Sequence, residues 1–430
     1  MPRPGRLPWI ALALLVISVC INYADRGNLG VAARSVQKEL HLNAHQLGYL
    51  LAAFSFTYAL SQIVTAKVID RWNVNWVYAW AFLLWSAATA ATGLAGSFAA
   101  IFGLRLVLGA SESVAYPAYS KMICISFPEQ LRGTANALID AGSKIGPALG
   151  ILVGIEIVEH FSWRGMFLII GAGSLLWLVP WCLVAPRLPV RHTRKTFTSH
   201  EAVPSYGRIL ARRELWGTAL GLFGGNYAWF FLLNWVPYYL ETERHYSKNA
   251  LAIVGSLPFW AVAVASVLFG MLADVFVRRR YSAGRVRQGF VCAGQLASCA
   301  LMLPAVLVSD RGLGTFFLIL SCIAMGAWSS NHWALTQLLS GPAVAGKWTG
   351  LQNCFGNFAG VVGQIVTGYA LQSTHSFFAA FAIACLVLIA GVIGYWVVVG
   401  QPKEISWPQQ TIADRTHNVE HESSPLFPKT

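Results

Sequence analysis

Uninterrupted apolar runs of about 20 residues recur along the whole chain. An α-helix of roughly this length is needed to cross the hydrocarbon layer of a membrane. The 430-residue chain is 56% hydrophobic and 11% charged, whereas soluble domains have roughly 25% charged residues. The sequence therefore predicts an all-α integral membrane protein.

Twelve such runs are present, six on each side of a segment rich in charge, proline and serine. The predicted spans are 9–33, 46–66, 74–95, 97–120, 133–156, 164–185, 215–240, 250–273, 286–308, 312–338, 349–371 and 376–399. We expect an N-terminal six-helix half at 1–186, a cytoplasmic linker at 187–214, a C-terminal six-helix half at 215–400 and a disordered cytoplasmic tail at 401–430.

A weak internal repeat supports this division. The segment GTAN at 133–136 in the fifth span matches GLQN at 350–353 in the eleventh. Likewise Asp70 and Arg71 after the second span match Asp274 after the eighth, and we interpret both as gating positions. The repeat implies two parallel halves with a binding site at their interface.

The positive charges are distributed unevenly. Of the 31 Lys and Arg residues, three lie within spans and six in the loops on one side, which leaves 22 on the side of the two termini. Because cytoplasmic loops carry the excess of Lys and Arg, we predict cytoplasmic termini in a bacterial-type inner membrane. This distribution explains the net charge of +13 better than nucleic-acid binding does.

Several function classes lack their sequence signals. The eight cysteines stand singly, without a C-x-x-C pair, so they are better explained as core residues than as metal ligands or disulfides. Motifs of the types H-E-x-x-H and G-x-S-x-G and a phosphate-binding loop are absent from the sequence. We therefore expect no metal or other cofactor, no enzyme and no ATP-driven pump. A transport-incompetent sensor stays open, and the apolar N-terminal run is read as an uncleaved first span.

Ionisable side chains inside the spans are the first candidates for function, since a charge at the bilayer centre costs from about 2.5 kcal/mol upward. They are Asp25 and Arg26 in the first span, Arg105 and Glu112 in the fourth, and Asp140 and Lys144 in the fifth. Arg105 and Glu112 share a helix face, as do Asp140 and Lys144. At about 1.5 Å per residue, Asp25, Arg26 and Arg105 lie at one depth, and Glu112 and Lys144 lie near the midplane.

These charges permit two interpretations. As interhelical ion pairs they would fix helix packing, and Asp140 with Lys144 could satisfy itself on one helix. As a transport site they would bind an anion and carry protons. We favour transport for Arg105 and Glu112, because a buried ion pair stabilises a fold poorly compared with apolar residues. The role of Lys144 stays open between the two.

The sign of the interior favours an anion. Three bases balance three acids, so protonation of one carboxylate leaves a net positive site, whereas a cation or drug exporter would present unpaired acids. Polar residues of the spans complete the candidate site: Tyr58, Gln62, Asn353 and Asn357 are predicted to bind substrate. The expected partners are thus a small organic anion, a proton and the lipid bilayer, with the protein acting as a monomer.

Five segments together resemble the anion:cation symporter family of the major facilitator superfamily. They are NYADRGNLG at 22–30, RLVLGASE at 105–112 followed by YP at 116–117, FPEQLRG at 127–133, WRGMF at 163–167 and GLQNCFGN at 350–357. Bacterial members of the family carry sugar acids such as galactonate, hexuronate and glucarate. The resemblance implies the twelve-helix major facilitator fold and proton-coupled uptake of a sugar acid or other carboxylate by alternating access.

The resemblance also implies residue roles. Arg26 would bind the substrate carboxylate, Asp25 and Glu112 would carry protons, Arg105 would pair with an acid between steps, and Asn357 would contact substrate. Two departures from the family pattern stand out. The loop KVIDRW at 67–72 lacks the usual leading glycine and later basic pair, and Lys144 occupies a place where many members have a small or uncharged residue. The substrate is therefore not copied from any one relative.

Overall fold

A computed structural model describes residues 5–127, 129–188, 204–341 and 344–407, with side chains throughout except at 63, 66, 67, 70, 124, 129–134 and 345. Helices make up nearly all of these ranges. They are α1 (Arg6–Glu39), α2 (Ala44–Arg71), α3 (Val74–Thr92), α4 (Phe98–Glu112), α5 (Ala115–Ser126), α6 (Glu129–Ser174), α7 (Leu178–Val184), α8 (Tyr206–Leu210), α9 (Arg213–Thr242), α10 (Lys248–Arg278), α11 (Ala283–Leu307), α12 (Arg311–Ser340), α13 (Ala345–Asn357), α14 (Ala359–Thr374) and α15 (Phe378–Ile393).

The helices make twelve crossings of the bundle. Short interruptions divide the fourth crossing into α4 and α5 and the eleventh into α13 and α14. The fifth and sixth both begin in α6, because the chain reverses at Ser162, where φ is 69° and ψ is 170°. Within the described residues, eight helical segments are long and apolar enough to cross a membrane, and one of these, Ala135–Arg187, contains both the fifth and the sixth crossing.

We call the two ends of the bundle the Glu39 end and the Arg71 end, after the last residues of α1 and α2. We call the first six crossings, α1 to α7, the N-terminal half and α9 to α15 the C-terminal half. Large apolar side chains are exposed on the outside of both halves, among them Trp80, Leu176, Leu183, Val264 and Leu386. Such a surface suits lipid rather than water.

Within the N-terminal half, α6 packs directly on α1 through small residues. A Cβ atom placed on Gly146 would lie 2.5 Å from the Cys20 carbonyl oxygen, and one on Gly150 would lie 2.8 Å from the Ala24 Cα. Close helix contact through glycine is a common way for membrane helices to associate. These glycines of the fifth crossing therefore hold α1, and with it Arg26, against α6.

At the Glu39 end the two halves meet through α1 and α9. A Cβ atom on Gly30 would lie 2.7 Å from the Asn234 carbonyl oxygen, so the two backbones touch. Tyr238, one turn beyond Asn234 on α9, donates a 2.6 Å hydrogen bond from its hydroxyl to Gln37 Oε1 on α1. This seam joins the outermost turns of α1 to the C-terminal half.

A second seam joins α2 to α14 at the same end. A Cβ atom on Gly368 would lie 2.6 Å from the Ala44 carbonyl oxygen, and one on Gly48 would lie 3.3 Å from the Gly368 Cα. The hydroxyls of Tyr49 and Tyr369 are 2.8 Å apart. Backbone contact of this kind leaves no room for a solute, so the Glu39 end is closed between the halves.

A short segment after the last crossing lies on the C-terminal half at the Arg71 end. The Ile405 amide donates to the Leu339 carbonyl at 3.0 Å, and Trp407 Nε1 donates to the Ser340 carbonyl at 3.2 Å. The Arg212 guanidinium carbon lies 5.3 Å from the Trp407 ring centroid. The rest of the predicted tail, 408–430, and 189–203 of the predicted linker lie outside the described residues.

The contact between α1 and α6 gives a first prediction. Gly146→Ala should lower the melting temperature of the purified protein, because overpacking costs about 1–3 kcal/mol where the backbones touch. Gly103→Ala is the matched control, since a Cβ atom there meets nothing within 4 Å and alanine favours the helix by up to about 1 kcal/mol. Equal melting temperatures for the two variants would contradict the close contact.

Candidate functional site

An ion pair between α1 and α4 lies inside the N-terminal half. Arg26 Nε is 3.0 Å from Glu112 Oε2, and the two side chains are 5% and 0% exposed. From depth alone, the sequence placed Arg26 beside Arg105 and placed Glu112 deeper in the membrane. In the structure the Arg26 side chain turns toward Glu112. The residue predicted to bind an anion is therefore in direct contact with a residue predicted to carry a proton.

Aromatic rings surround the Arg26 guanidinium. Its carbon lies 4.3 Å from the ring centroid of Tyr23, 4.5 Å from Tyr58 and 5.2 Å from Phe54. Cation–π contacts of this kind stabilise a desolvated guanidinium by about 2 kcal/mol without using its N–H donors. Among the described residues, Arg26 Nη2 has no hydrogen-bond partner. Arg26 is thus held in place with one guanidinium nitrogen still able to donate a hydrogen bond.

Asp25 and Arg105 are a second acid and a second base buried near the Arg26–Glu112 pair. Asp25 Oδ1 accepts a 3.1 Å hydrogen bond from Asn28 Nδ2, whereas Asp25 Oδ2 and Arg105 Nε and Nη1 are unpartnered within the described part of the chain. Asp25 and Arg105 are 0% and 2% exposed. Buried charged groups with open hydrogen-bonding capacity are uncommon in a static core. They suit a site that receives protons or ligands.

Asp140 and Lys144 lie on one face of α6. Lys144 Nζ is 3.7 Å from Asp140 Oδ1, and the side chains are 15% and 59% exposed. The predicted pairing on adjacent turns is present, but the two groups are not within hydrogen-bond distance. Lys144 Nζ also lies 5.2 Å from the ring centroid of Trp229 on α9. Lys144 therefore bridges the two halves.

The amides predicted to bind substrate form a row across the interface of the halves. Asn353 Nδ2 on α13 donates to Gln62 Oε1 on α2 at 3.2 Å. Asn357 Nδ2 donates to Asn353 Oδ1 at 3.0 Å. Tyr58, one turn from Gln62, connects this row to Arg26. The structure thus brings these four residues together.

The candidate gating residues are only partly described. Asp274 forms an ion pair with Arg287 on α11, and Arg287 Nη1 donates to Asn331 Oδ1 on α12 at 2.7 Å. This network ties α10, α11 and α12 together at the Arg71 end. On the matching side of the N-terminal half, Arg71 is exposed, and the Asp70 side chain lies outside the described ones.

Some residues of the site did not stand out in the sequence. Tyr23 and Phe54 contribute rings around the arginines, and Trp229 of the C-terminal half lies against Lys144. Tyr23 precedes Arg26 by three residues, and this spacing, which puts both residues on one helix face, could have predicted their contact. No such signal in the sequence pointed to Trp229. In the described ranges, no group of three or more His, Cys, Asp or Glu residues is placed to hold a metal ion.

Comparison with known proteins agrees with this architecture. The family model described as Major Facilitator Superfamily matches residues 15–364. The chain belongs to this superfamily. A bacterial homologue of the human lysosomal transporter Spinster, solved in an inward-facing and unoccupied conformation, superposes with a TM-score of 0.77. It is 17% identical, covers 92% of this chain and 98% of its own, and shows the fold alone.

Similar curated proteins are named as carriers of sugar acids. The D-galactonate transporter of Escherichia coli is 28% identical over 94% of this chain and 98% of its own. A protein of the same species named probable galactarate/D-glucarate transporter is 26% identical over 92% of this chain and 96% of its own. The predictions of a twelve-helix multi-pass membrane transporter, of no enzyme and of a resemblance to sugar-acid carriers are confirmed.

The buried pair gives a second prediction. Glu112→Leu should lower the free energy of unfolding by about 3–5 kcal/mol, because it leaves Arg26 as an unpaired buried charge. The double change Arg26→Met with Glu112→Leu should recover most of this loss. As a control, the pair of Arg34 and Glu241, with Arg34 54% exposed, should show a coupling of about 0–1 kcal/mol. Additive losses for Arg26 and Glu112 in a double-mutant cycle would argue against the pair.

Proposed function

We propose that this protein is a proton-coupled symporter that carries a small organic anion, a sugar acid or another carboxylate, into a bacterial cell. The observation that carries the proposal is the Arg26–Glu112 pair, 3.0 Å apart and buried, in which a fixed cation shares its site with a group that can take up a proton. Relatives named as galactonate and galactarate/D-glucarate transporters support a carboxylate substrate.

Coupling follows from competition for Arg26. While Glu112 is ionised, it occupies the guanidinium and disfavours a second anion there. When Glu112 takes up a proton, Arg26 loses its partner and becomes free to bind a substrate carboxylate through two parallel hydrogen bonds. Proton and anion are therefore bound together. Asp25, whose Oδ2 has no hydrogen-bond partner among the described residues, offers a second proton position near Arg105.

Alternating access follows from the seams. With the Glu39 end closed, a substrate reaches the site from the Arg71 end, and exchange requires the contacts of α1 with α9 and of α2 with α14 to separate. The excess of Lys and Arg on the side of the termini supports the Arg71 end as the cytoplasmic one. In this proposal the conformation described is inward-facing, and the protein resides in the inner membrane as a monomer.

Arg26→Lys tests anion capture. A lysine keeps the charge but presents a single point donor in place of the planar fork, so affinity for a carboxylate substrate should fall about 10- to 100-fold, in line with hydrogen bonds to charged groups worth about 1.5–3 kcal/mol. Equilibrium binding to the purified protein, with D-galactonate as the first probe, provides the measurement. Arg34→Lys on the same helix is the control. Near-normal affinity in Arg26→Lys would rule out its role.

Glu112→Gln tests proton coupling. The amide keeps the shape but cannot exchange a proton, so proteoliposomes carrying this variant should retain substrate exchange and lose accumulation driven by a pH gradient. Asp25→Asn assesses the second carboxylate in the same assay, and Glu241→Gln serves as the control. Full gradient-driven accumulation in both Glu112→Gln and Asp25→Asn would eliminate proton coupling through these groups.

A further inference from the structure

A cavity of about 430 Å³ lies on the C-terminal half at the Arg71 end. It is bounded by α11, by the last crossing and by the segment that follows it, through the residues Arg285, Gln288, Trp396, Gly400, Gln401 and Pro402. Arg285 is exposed, and Trp396 is 60% exposed. A cation and an indole ring therefore lie at the open edge of this cavity, which shares no residue with the Arg26 site.

Arg285 has no acidic partner among the described residues. Its guanidinium forms no ion pair or hydrogen bond with them, so its N–H donors are available to an anion. Two of the described acids at this end of the half are already paired, Asp274 with Arg287 and Glu214 with Arg213. A third, Glu404, lies against the end of α12, where its Oε1 would be 2.5 Å from a Cβ atom on Gly341. The cavity therefore carries an uncompensated positive charge.

An exposed apolar face continues from the cavity along α11 and α15, which run side by side. Near the cavity, Gln288 Nε2 donates to the Tyr395 carbonyl at 2.7 Å. About three turns further along α11, the Cys299 carbonyl accepts from Cys385 Sγ at 3.4 Å. The outer face exposes small residues of α11 and large apolar residues of α15, among them Ala293, Ala297, Ala300, Leu386, Ile389 and Ile393. Arg285 thus lies at one end of an apolar surface on the outside of the C-terminal half.

A phosphate and apolar chains occur together in membrane lipids. The planar guanidinium of arginine matches the geometry of phosphate, and basic pockets between membrane helices bind anionic lipid headgroups. Tryptophan is enriched at the depth of the headgroups on both sides of a membrane, so Trp396 at the end of the last crossing fits that depth whichever side the Arg71 end faces. A soluble phosphate would use the guanidinium but leave the apolar face uncovered. The combination therefore favours a lipid.

We propose that this cavity binds the headgroup phosphate of an anionic phospholipid. Arg285 donates to the phosphate, and the acyl chains lie along the outer face of α11 and α15. Gly289, one turn from Arg285 on α11, leaves room for the first part of a chain, because a Cβ atom there would meet nothing within 4 Å. The proposal goes beyond the transport function and does not depend on it, since Arg26 and Glu112 lie in the other half.

The test is native mass spectrometry of the purified full-length protein, titrated in detergent with dioleoylphosphatidylglycerol or with dioleoylphosphatidylcholine, which has the same chains and no net charge. We expect phosphatidylglycerol to bind about 5-fold more tightly. Arg285→Gln should lower its affinity about 5-fold, the effect of one basic residue near an anionic headgroup, and leave phosphatidylcholine nearly unchanged. Arg285→Lys should keep most of the preference. Arg208→Gln on α8 is the matched control, because Arg208 is exposed at the same end and lies outside the cavity.

Gly289→Trp tests where the chains lie. The substitution keeps Arg285 and adds a bulky ring to open surface, so both lipids should bind more weakly while the melting temperature without added lipid stays unchanged. Inorganic phosphate, titrated in the same way, distinguishes a lipid from a soluble anion, and we expect no Arg285-dependent binding of it.

Three results would overturn the proposal. If phosphatidylglycerol binds no better than phosphatidylcholine while inorganic phosphate binds in an Arg285-dependent way, the cavity takes a soluble anion. If Arg285→Gln and Arg208→Gln lose equal affinity for phosphatidylglycerol, the lipid is attracted by the basic surface in general and the cavity is not its site. If Gly289→Trp binds both lipids with full affinity, the chains do not lie on the face of α11 and α15.

Discussion

Arg26 and Glu112 are buried in the bundle, where a lone charge of either sign is strongly disfavoured. Their contact at 3.0 Å fixes the rotation of α1 against α4. The glycine contacts of α6 fix α1 from another side, and the rings of Tyr23 and Tyr58 limit the directions open to the guanidinium. The helix packing of the N-terminal half is thus arranged around a pair that apolar residues could replace with little loss of stability. Folding alone therefore does not account for the presence of this pair.

The sequence allowed the fold to be predicted because lipid imposes simple rules. Each crossing needs about 20 apolar residues, and a charge among them is costly enough to be noticed. The interruptions of the fourth and eleventh crossings were not predicted. Their positions at 113–114 and at Phe358 depend on local backbone geometry, which the mean hydropathy of a segment does not reveal.

Contacts between helices were harder to predict than the helices themselves. Depth along the membrane normal suggested that Asp25, Arg26 and Arg105 meet, and both arginines do lie against the Phe54 ring. Depth says nothing about rotation about each helix axis, so the contact of Arg26 with Glu112 was not predicted. The contact of Lys144 with the Trp229 ring could not be predicted from the sequence. It depends on how the two halves approach one another, and no sequence pattern within α9 encodes that approach.

The glycines of the two halves serve different purposes. On α6 they hold two helices of one half in contact, whereas Gly48 and Gly368 meet across a boundary that opens in the proposed transport cycle. A large side chain at either position could be accommodated in one way only, by keeping that boundary apart. A single bulky substitution there would act as a wedge that traps the opposite conformation, and a trapped carrier of this kind is a defined target for raising state-specific antibodies or screening inhibitors.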